Sequence, residues 1–545
     1  MQHGHHENNE TGYCMKKKLL LAATLLALAA SAHAAPAEVT GVAAPAANAA
    51  VAPAAPSETA MRAAKHALDT YQNDVVDTLA RLVSYDTVAD PKLPCERNPR
   101  HAAFKDALKG EAARLGLDFS DYGCVAVVGL GQPAEGKARL GLVAHGDVQP
   151  VDASKWKQSP FTLDRTSEPG RLLARGAEDD KGPIADALYA MKSLKDLALP
   201  LSKRIELYVY MAEESDWAPL EAFVKAHAMP EMNITLDAEY PAVVAEKGFG
   251  MLAVTLPRQA AAAPADAPWI RSFSGGFFAA QIPEDAKAVV ANANPALEAQ
   301  LRQRAAKQPA VHFTFSREGQ DLTVAAKGVS AHSSKPEDGV NAISMLADLL
   351  GGRTWPDTTA GALVNFLNEM VGTGYYGEKF GNIAYRDAFM GPMTFAPTVI
   401  HDRSDVPGLA PEQRGLELGI NLRRPQGKST EQLSNEINAA LAQWQGAHLQ
   451  LADVQTRIGE PWVQLDAPQL PTLLGVFSAF TGIKDPKPVA IGGGTNSRLF
   501  PHAVSFGPSM PHTVYTGHTE HEFIGTKQLL LNLQMYAAVM AELAK

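Results

Sequence analysis

The chain has 545 residues, of which 46% are hydrophobic and 20% are charged, so it can form a sizeable core and more than one domain. Its 49 basic and 59 acidic residues give a formal net charge of −10, and no block of five or six basic residues is present, which excludes nucleic acid as an expected partner. Three cysteines are too few for a cysteine-rich zinc module, so any metal site must use His, Asp and Glu.

Residues 1–34 have the pattern of an export signal. Three lysines at 16–18 precede an apolar run from Leu19 to Ala30, and Ala32-His33-Ala34 offers a small-x-small cleavage site. The alternative is a membrane anchor, but the apolar run is shorter than the roughly 20 residues that a bilayer span needs. The mature protein is therefore predicted to be soluble, free of the membrane, and periplasmic or secreted.

Two segments border this signal. Met15 is an alternative start, which would make residues 1–14 an upstream extension of the reading frame. Residues 35–56 consist largely of Ala, Pro, Val and Gly without hydrophobic periodicity, a composition typical of a linker.

From residue 57 onward the sequence predicts an α/β domain. Apolar residues recur at helical spacing at Met61, Leu68, Val75, Leu79 and Leu82. Helical segments then alternate with short apolar strands, as in α/β folds. Three strands, at 139–144, 205–212 and 233–236, each end in a polar cluster. Because ligands bind outside the carboxyl ends of strands in open α/β sheets, these clusters are predicted to meet in one crevice.

The first cluster is His145-Gly146-Asp147. Residues i and i+2 of an extended chain face the same side, so Asp147 is predicted to accept a hydrogen bond from the far ring nitrogen of His145 and to orient it toward a metal. Further clusters are the Asp179-Asp180 turn before a helix from Ile184, the Glu213-Glu214 pair, Asp237, and the 517–523 segment.

Each cluster alone has an ordinary structural explanation, such as an acidic helix start or exposed carboxylates. Together, two histidines and three or four carboxylates at strand ends are a ligand set for paired zinc-like ions. The sequence lacks the GxSxG and HExxH motifs of other hydrolytic sites, and it has no complete GxxxxGK(S/T) loop, because Ala138 follows Gly136-Lys137 where a phosphate-binding loop has Ser or Thr.

Nine motifs occur in order along the chain. They are HGDVQP (145–150), Trp156 with Pro160-Phe161, RGAEDDKGP (175–183), EES (213–215), LDAEYP (236–241), SAHSSKPEDGVNA (330–342), NLRRP (421–425), GGGT (492–495) and GHTEHEF (517–523). This ordered set resembles a known family, the co-catalytic zinc metallopeptidases that include aminoacylases, carboxypeptidase G, carnosinases and bacterial dipeptidase V. The resemblance extends from about residue 60 to the C-terminus. The DDKGP form and the spacing favour the dipeptidase V and carnosinase branch over the deacylases, with the bacterial dipeptidase V or Xaa-His dipeptidase type as the most similar.

The resemblance implies a set of metal ligands and a catalytic base. His145 and Asp237 would hold one divalent ion, Glu214 and His518 the other, and Asp179 would bridge them, with Asp147 supporting His145. The ions would be Zn²⁺, with Mn²⁺ or Co²⁺ as alternatives. Glu213 would be the general base for a hydroxide bridged by the two metals. His521 stands where the family has Asn, so the ligand is contested between His518 and His521, and the motif frame favours His518.

The resemblance also implies a domain arrangement. Residues 57–249 and 457–545 would form the catalytic metallopeptidase domain, with a mixed, mainly parallel sheet, and residues 250–456 an inserted α+β lid. This lid is about twice the size expected of a dimerising one, which favours a monomer. His332 would reach over the metals to stabilise the oxyanion, and Arg423 would bind the substrate carboxylate. Further substrate contacts are expected at Gly493, Gly494 and Thr495.

The expected function is an exported, metal-dependent dipeptidase acting on small unblocked dipeptides. The alternatives are a related amidohydrolase, either an N-acyl amino acid deacylase or a carboxypeptidase, and a periplasmic peptide-binding protein without activity. The presence of Glu213 with all the ligands argues against a binding protein, which needs no general base.

Cys95 and Cys124 are the cysteines left in the mature chain. An oxidising compartment permits a disulfide between them, and two buried free thiols are the alternative.

Overall fold

The computed structural model describes residues 51–132, 138–258 and 263–545. Within these ranges helices alternate with strands, which confirms the predicted α/β class. The predicted signal peptide and the predicted linker up to residue 50 lie outside the described residues. Among the described helices, none combines the length and apolar character needed to cross a bilayer.

The α-helices of the described residues are α1 (Glu58–Val83), α2 (Pro99–Leu115), α3 (Lys181–Asp196), α4 (Ala218–Ala226), α5 (Pro295–Ala305), α6 (Ala342–Leu350), α7 (Thr359–Phe366), α8 (Thr430–Ala447), α9 (Leu470–Thr481) and α10 (Thr526–Leu543). Their ends follow the local sequence. Ser57 caps α1 by accepting a hydrogen bond from the Ala60 N–H, and Gly116 ends α2 in the left-handed region at φ 68°.

The strands are β1 (Asp118–Asp121), β2 (Val125–Leu130), β3 (Arg139–His145), β4 (Arg171–Leu173), β5 (Arg204–Tyr210), β6 (Met232–Thr235), β7 (Ala238–Glu239), β8 (Val243–Glu246), β9 (Gly248–Pro257), β10 (Trp269–Gly275), β11 (Gln281–Ile282), β12 (Asp285–Ala291), β13 (His312–Glu318), β14 (Asp321–Lys327), β15 (Ala331–His332), β16 (Arg386–Asp387), β17 (Gly391–Pro392), β18 (Thr394–Asp402), β19 (Gly415–Arg424), β20 (Asp453–Ile458), β21 (Trp462–Val463), β22 (Val489–Ile491), β23 (Val504–Ser505), β24 (Pro508–Ser509) and β25 (Phe523–Gly525).

The largest sheet has nine strands in the order β1-β2-β5-β3-β6-β23-β8-β21, and β22 also pairs with β8. At its centre β3 pairs in parallel with both β5 and β6, whereas the pairs at the β1 and β21 edges are antiparallel. The three strands predicted to end in polar clusters are β3, β5 and β6, so their carboxyl ends share one edge of the sheet.

Two sheets of four strands form the middle of the chain, in the orders β18-β19-β9-β20 and β10-β12-β14-β13. The pairings within both are antiparallel. A two-stranded ladder of β11 and β15 lies outside these sheets. This middle part has the α+β composition predicted for a lid, while the limits of 250 and 456 stay a prediction.

Buried apolar side chains form two main clusters. The first core contains residues between Ala60 and Val244 and between Ala467 and Ala544. The second core contains residues between Leu252 and Trp444. The chain therefore leaves the first core once, builds the second core, and returns.

A two-stranded ribbon connects the two cores. Strand β8 of the large sheet continues through Lys247 into β9, and β20 leads back to β21. Strands β9 and β20 pair antiparallel, and so do β8 and β21. A Cβ atom on Gly248 would collide with the carbonyl of Gly459, so the close approach of the two backbones requires glycine.

Two local predictions differ from the structure. Met61, placed on the apolar stripe of the first helix, is 39% exposed. Instead the fully buried Ala60, Ala63, Ala64 and Ala67 let α1 pack closely on its neighbours. Helix α3 begins at Lys181, earlier than the predicted start at Ile184, so the Asp179-Asp180 pair lies directly at its N-terminus.

Cys95 and Cys124 are joined by a disulfide, with their Cα atoms 5.4 Å apart. Of the two alternatives left open by the sequence, the structure therefore has the bridge. It connects the segment before α2 to the segment before β2.

Candidate active site

The predicted ligands converge at the carboxyl edge of the large sheet. His145 is the last residue of β3, Glu213 and Glu214 follow β5, and Asp237 follows β6. Because β3 pairs in parallel with both neighbours, these side chains meet without any of the strands bending. Asp179 reaches the same point from the turn before α3.

Asp179 lies between two histidines. His145 Nε2 is 2.8 Å from Asp179 Oδ1 and 3.7 Å from Asp237 Oδ2. His518 Nε2 is 3.2 Å from Asp179 Oδ2 and 3.0 Å from Glu214 Oε1. His145 forms one possible metal-binding group with Glu213 and Asp237, and another with Asp179 and Glu214.

The structure distinguishes the two contested histidines of the C-terminal motif. His518 is buried among the carboxylates. His521 is exposed, and its Nε2 lies 3.1 Å from Glu168, away from the other candidate ligands. The geometry thus favours His518, as the motif frame does.

Asp147 contacts the ring of His145, as predicted, but through its backbone carbonyl and not through its carboxylate. His145 Nδ1 is 3.0 Å from the backbone carbonyl of Asp147, whereas the Asp147 carboxylate oxygen is 3.5 Å away. That carboxylate accepts hydrogen bonds from the backbone N–H groups of Glu213 and Glu214, at 3.0 and 3.1 Å. Asp147 therefore positions the Glu213-Glu214 pair as well as the ring of His145, because its oxygens are occupied by these two donors.

Glu522 fixes the turn that bears Asp179. Its carboxylate, fully buried, accepts hydrogen bonds from the backbone N–H groups of Gly176, Glu178 and Asp179 at 3.0, 3.0 and 3.1 Å. The buried guanidinium of Arg175 balances its charge at 2.8 Å. Glu522, four positions after His518, thereby connects the segment of His518 with the turn of Asp179.

The site has more negative charge than its own cations balance. Burial, followed by the charge of Asp179, holds the pKa of Asp237 well above its usual range. Burial likewise raises the pKa of Glu213, and Glu213 Oε1 has no hydrogen-bond partner among the described residues. Carboxylate and imidazole groups suit zinc-like ions, so divalent cations fit this donor set.

His332 comes to the site from the second-core part of the same chain. It lies on β15, which pairs with β11, and its ring centroid is 4.6 Å from that of His518. Burial and the nearby His518 lower the pKa of His332, which favours the neutral ring. Its Nδ1 accepts a hydrogen bond from the Ser334 N–H at 3.1 Å. Since an N–H can only donate, the ring proton of His332 lies on Nε2.

Arg423 lies behind the His332 loop. It is 4% exposed, and its guanidinium donates to Asn421 Oδ1 at 3.1 Å and to Ser333 Oγ at 3.3 Å. Within the described residues no carboxylate forms an ion pair with it, whereas nearby Arg498 is paired with Glu246. Burial, followed by the charge of Arg498, lowers the pKa of Arg423 to about 10.

One cavity brings most of these groups together. Gly493, Gly494 and Thr495 line it together with His332, His518 and four of the carboxylates. The Thr495 hydroxyl is already engaged with Glu246 at 2.6 Å. Arg423 does not line this cavity; it lies behind the cavity wall and donates to Ser333, which stands between the lining residues His332 and Ser334.

Sequence reasoning missed three residues of the site. Tyr515 lines the cavity, and the Gln281 side chain donates to the His518 carbonyl at 2.9 Å. Lys335 forms an ion pair with Glu239 across the same cavity. Lys335 and Glu239 stand inside motifs that were noted, whereas Gln281 and Tyr515 had no sequence signal, because their contacts join distant parts of the chain.

The sequence matches known proteins over most of its length. Residues 141–542 match the family described as Peptidase family M20/M25/M40. YtjP of Bacillus subtilis (strain 168) is 30% identical over 417 residues, which are 75% of this chain and 84% of that protein. The Beta-Ala-Xaa dipeptidase of Lactobacillus delbrueckii subsp. lactis is 28% identical over 491 residues, covering 88% of this chain and 98% of its own.

The fold is similar to that of a solved dipeptidase. The crystal structure of human carnosine dipeptidase 1 superposes with a TM-score of 0.54 at 15% identity, over 90% of this chain and 99% of that one. This likeness shows the fold alone. The family match to residues 141–542 establishes that the chain belongs to Peptidase family M20/M25/M40, which confirms the predicted resemblance and the predicted enzyme class.

Proposed function

We propose that this protein is an exported, metal-dependent dipeptidase that hydrolyses unblocked dipeptides. The observation that supports this most directly is the presence of two His, Asp and Glu groups that share His145. One of these groups contains Glu213, whose buried Oε1 has no hydrogen-bond partner among the described residues. Relatives at 28% identity include a protein named Beta-Ala-Xaa dipeptidase.

The proposed ligands divide into two sets. His145 and Asp237 would hold one ion, Glu214 and His518 the other, and Asp179, which lies near both histidines, would serve both. Zinc is the proposed metal, with manganese and cobalt as alternatives. Such ions would polarise the scissile carbonyl and make water more acidic.

Glu213 is the proposed general base. It is buried, and its raised pKa brings its proton affinity closer to that of the groups with which it exchanges protons. Its free Oε1 would take a proton from the attacking water and deliver it to the leaving amine. The Glu213 N–H donates to Asp147, which holds the residue next to His145 and Asp237, and the role proposed for its carboxylate is proton transfer.

His332 is the proposed oxyanion donor. The tautomer fixed by Ser334 leaves Nε2 as a donor, and a neutral donor in a buried site stabilises charge that develops in the transition state. His332 and the ligands belong to one chain, which supports a monomer in which the second-core part acts as the lid.

Arg423 is the proposed partner of the substrate carboxylate. A buried guanidinium without a protein carboxylate beside it is costly, and an anionic ligand would offset this cost. Arginine binds carboxylates through two parallel hydrogen bonds. This favours substrates with a free C-terminal carboxylate, which dipeptides have.

Export is proposed from the pattern in residues 1–34. The Cys95–Cys124 disulfide supports it, because such bonds persist in oxidising compartments. Mass spectrometry of the mature N-terminus, after expression of the full reading frame, tests this proposal. A protein that keeps Met15 and stays in the cytosol would contradict it.

The test of the activity is a substrate panel. The purified protein, stripped of metal and then supplied with zinc, manganese or cobalt, should hydrolyse free dipeptides in a metal-dependent manner. Preference for N-acyl amino acids would indicate a deacylase, and release of C-terminal residues from longer peptides a carboxypeptidase. Peptide binding without cleavage under every metal would indicate a binding protein.

A further inference from the structure

Tyr515 has contacts that the roles assigned so far do not use. It stands three residues before His518, and its hydroxyl donates a hydrogen bond to Asp179 Oδ2. Its ring packs edge-on against His332 at a centroid distance of 5.8 Å and lies 6.4 Å from the ring of His518. The same side chain lines the cavity that contains Glu213.

The two residues that follow Tyr515 in the chain, Thr516 and Gly517, fix the position of its hydroxyl. The N–H and the hydroxyl of Thr516 donate to the buried carboxylate of Glu178 at 2.8 and 2.7 Å. Gly517 leaves the room that the phenol occupies, because a Cβ atom there would collide with the Tyr515 ring and hydroxyl. The local sequence therefore holds the phenol against Asp179.

Asp179 depends on its neighbours for its orientation. Three side chains contact its carboxylate among the described residues: His145, His518 and Tyr515. The two histidines belong to the proposed ligand set. Tyr515 is the one contact outside that set, so it can hold the carboxylate independently of the metal.

We propose that Tyr515 is a positioning residue that fixes the rotation of the Asp179 carboxylate, with Oδ1 toward His145 and Oδ2 toward His518. This proposal rests on the proposed function. A carboxylate that is to serve two cations has to be held in one rotation, and a donor beside it reduces the freedom that metal binding would otherwise have to remove. Partners that orient metal ligands typically contribute about 10- to 100-fold to metal affinity or activity.

Tyr515→Phe isolates the hydroxyl, because the ring and its packing on His332 remain. Tyr122→Phe, at an exposed tyrosine far along the chain from the ligands, is the matched control. We expect Tyr515→Phe to bind zinc about 10- to 100-fold more weakly in competition with a chromogenic chelator. We expect kcat with saturating zinc to fall by about 10-fold or more, with KM within about threefold. The cobalt-substituted variant should show an altered visible spectrum.

A merely structural role would lower the thermal unfolding midpoint without these changes. Zinc affinity, kcat and cobalt spectrum equal to those of the unmodified protein would overturn the proposal. If the unmodified protein cleaves no dipeptide with any metal, the proposed function fails, and the zinc titration still decides the role of Tyr515. Should Tyr515→Phe fold poorly, zinc affinity of Tyr515→Gln, which keeps an N–H donor without adding an imidazole ligand, must exceed that of Tyr515→Leu, and equal affinities would overturn the proposal.

Discussion

Two regions of the molecule border the candidate active site: one contributes mainly carboxylates, and the other contributes two cations, Lys335 and Arg423, and the neutral imidazole of His332. The first-core region provides an acidic side, Asp179, Glu213, Glu214 and Asp237, with His145 and His518 among them. The second-core region provides a basic side of His332, Lys335 and Arg423. The acidic side suits cations, and the basic side suits the negative charges of a peptide, its carboxylate and the oxyanion formed from it. Neither region therefore contains all the groups of the candidate site.

The two sides also differ in how they are held. Glu213, Glu214 and Asp237 follow two strands of the large sheet, and Asp179 lies in the turn before α3. The buried carboxylates of Asp147 and Glu522 hold the backbone of Glu213, Glu214 and Asp179. His332 lies on a ladder of two residues per strand. The acidic side is therefore preorganised by the large sheet, whereas the position of His332 depends on contacts such as that of Gln281 with the His518 carbonyl.

The largest expected effect is on the acidic side. Asp179→Ala should reduce the bound metal from two ions to one or fewer and reduce turnover to background, because the residue contacts both histidines and would serve both ions. Metal analysis of the purified variant checks this, with Asp338→Ala as an acidic control outside the proposed ligands. Full occupancy in Asp179→Ala would show that the residue does not bridge.

Glu213→Gln should separate metal binding from proton transfer. The amide keeps the size of the side chain but cannot accept the proton, so kcat should fall about 1,000-fold while metal content stays unchanged. Glu221→Gln, on exposed α4, is the matched control. Near-normal kcat in Glu213→Gln would mean that another group is the base.

His332→Ala tests the basic side. Loss of one oxyanion donor should lower kcat about 100-fold with little change in bound metal, and His401→Ala, at an exposed histidine of the second-core region, should remain fully active. Steady-state kinetics measures both.

The same variant tests whether the basic side belongs to the same chain. His332→Ala and Glu213→Gln proteins, refolded together, should not recover activity, and specific activity should not change on dilution. Recovery in the mixture would show that the histidine acts across a dimer.

Arg423→Lys should have a smaller and different effect. A lysine keeps the charge but loses the bidentate geometry, so KM for dipeptides should rise about 10-fold with a modest change in kcat. Arg423→Met should raise KM further. The ratio of kcat/KM for free dipeptides to kcat/KM for amidated dipeptides should fall in both variants. If this ratio equals that of the unmodified protein, Arg423 does not bind the carboxylate.

The smallest effect on catalysis should follow from removing the disulfide. Cys95→Ala with Cys124→Ala breaks a link between residues 29 positions apart, which should lower the free energy of unfolding by about 3 kcal/mol. Denaturant titration measures this change. Because the bridge belongs to the first-core region and contacts neither side of the site, kcat/KM should stay within about twofold, and a large loss would show that the acidic side depends on it.

The residues of the acidic side could be predicted from the sequence, whereas most of the residues that hold them in position could not. Strand-end carboxylates are visible because alternation and polar clusters are local, and the motif order indicated His332 and Arg423. The acceptor role of Glu522 and the contacts of Tyr515 and Gln281 could not be predicted, because they join residues more than 200 positions apart. The predicted hydrogen bond from His145 to the Asp147 carboxylate failed for the same reason. That carboxylate instead accepts hydrogen bonds from Glu213 and Glu214, which follow β5 and are distant in sequence.

The ribbon between the two cores has a consequence for folding. Strand β21 must pair with β8, and roughly 215 residues separate them, so closing this loop in an unfolded chain costs about 3 kcal/mol more than closing a short hairpin. Once β9 and β20 have paired, the ends of the insertion are adjacent, and the remaining closure resembles that of a hairpin. Early folding of the second-core region would therefore lower the entropic barrier to completing the large sheet.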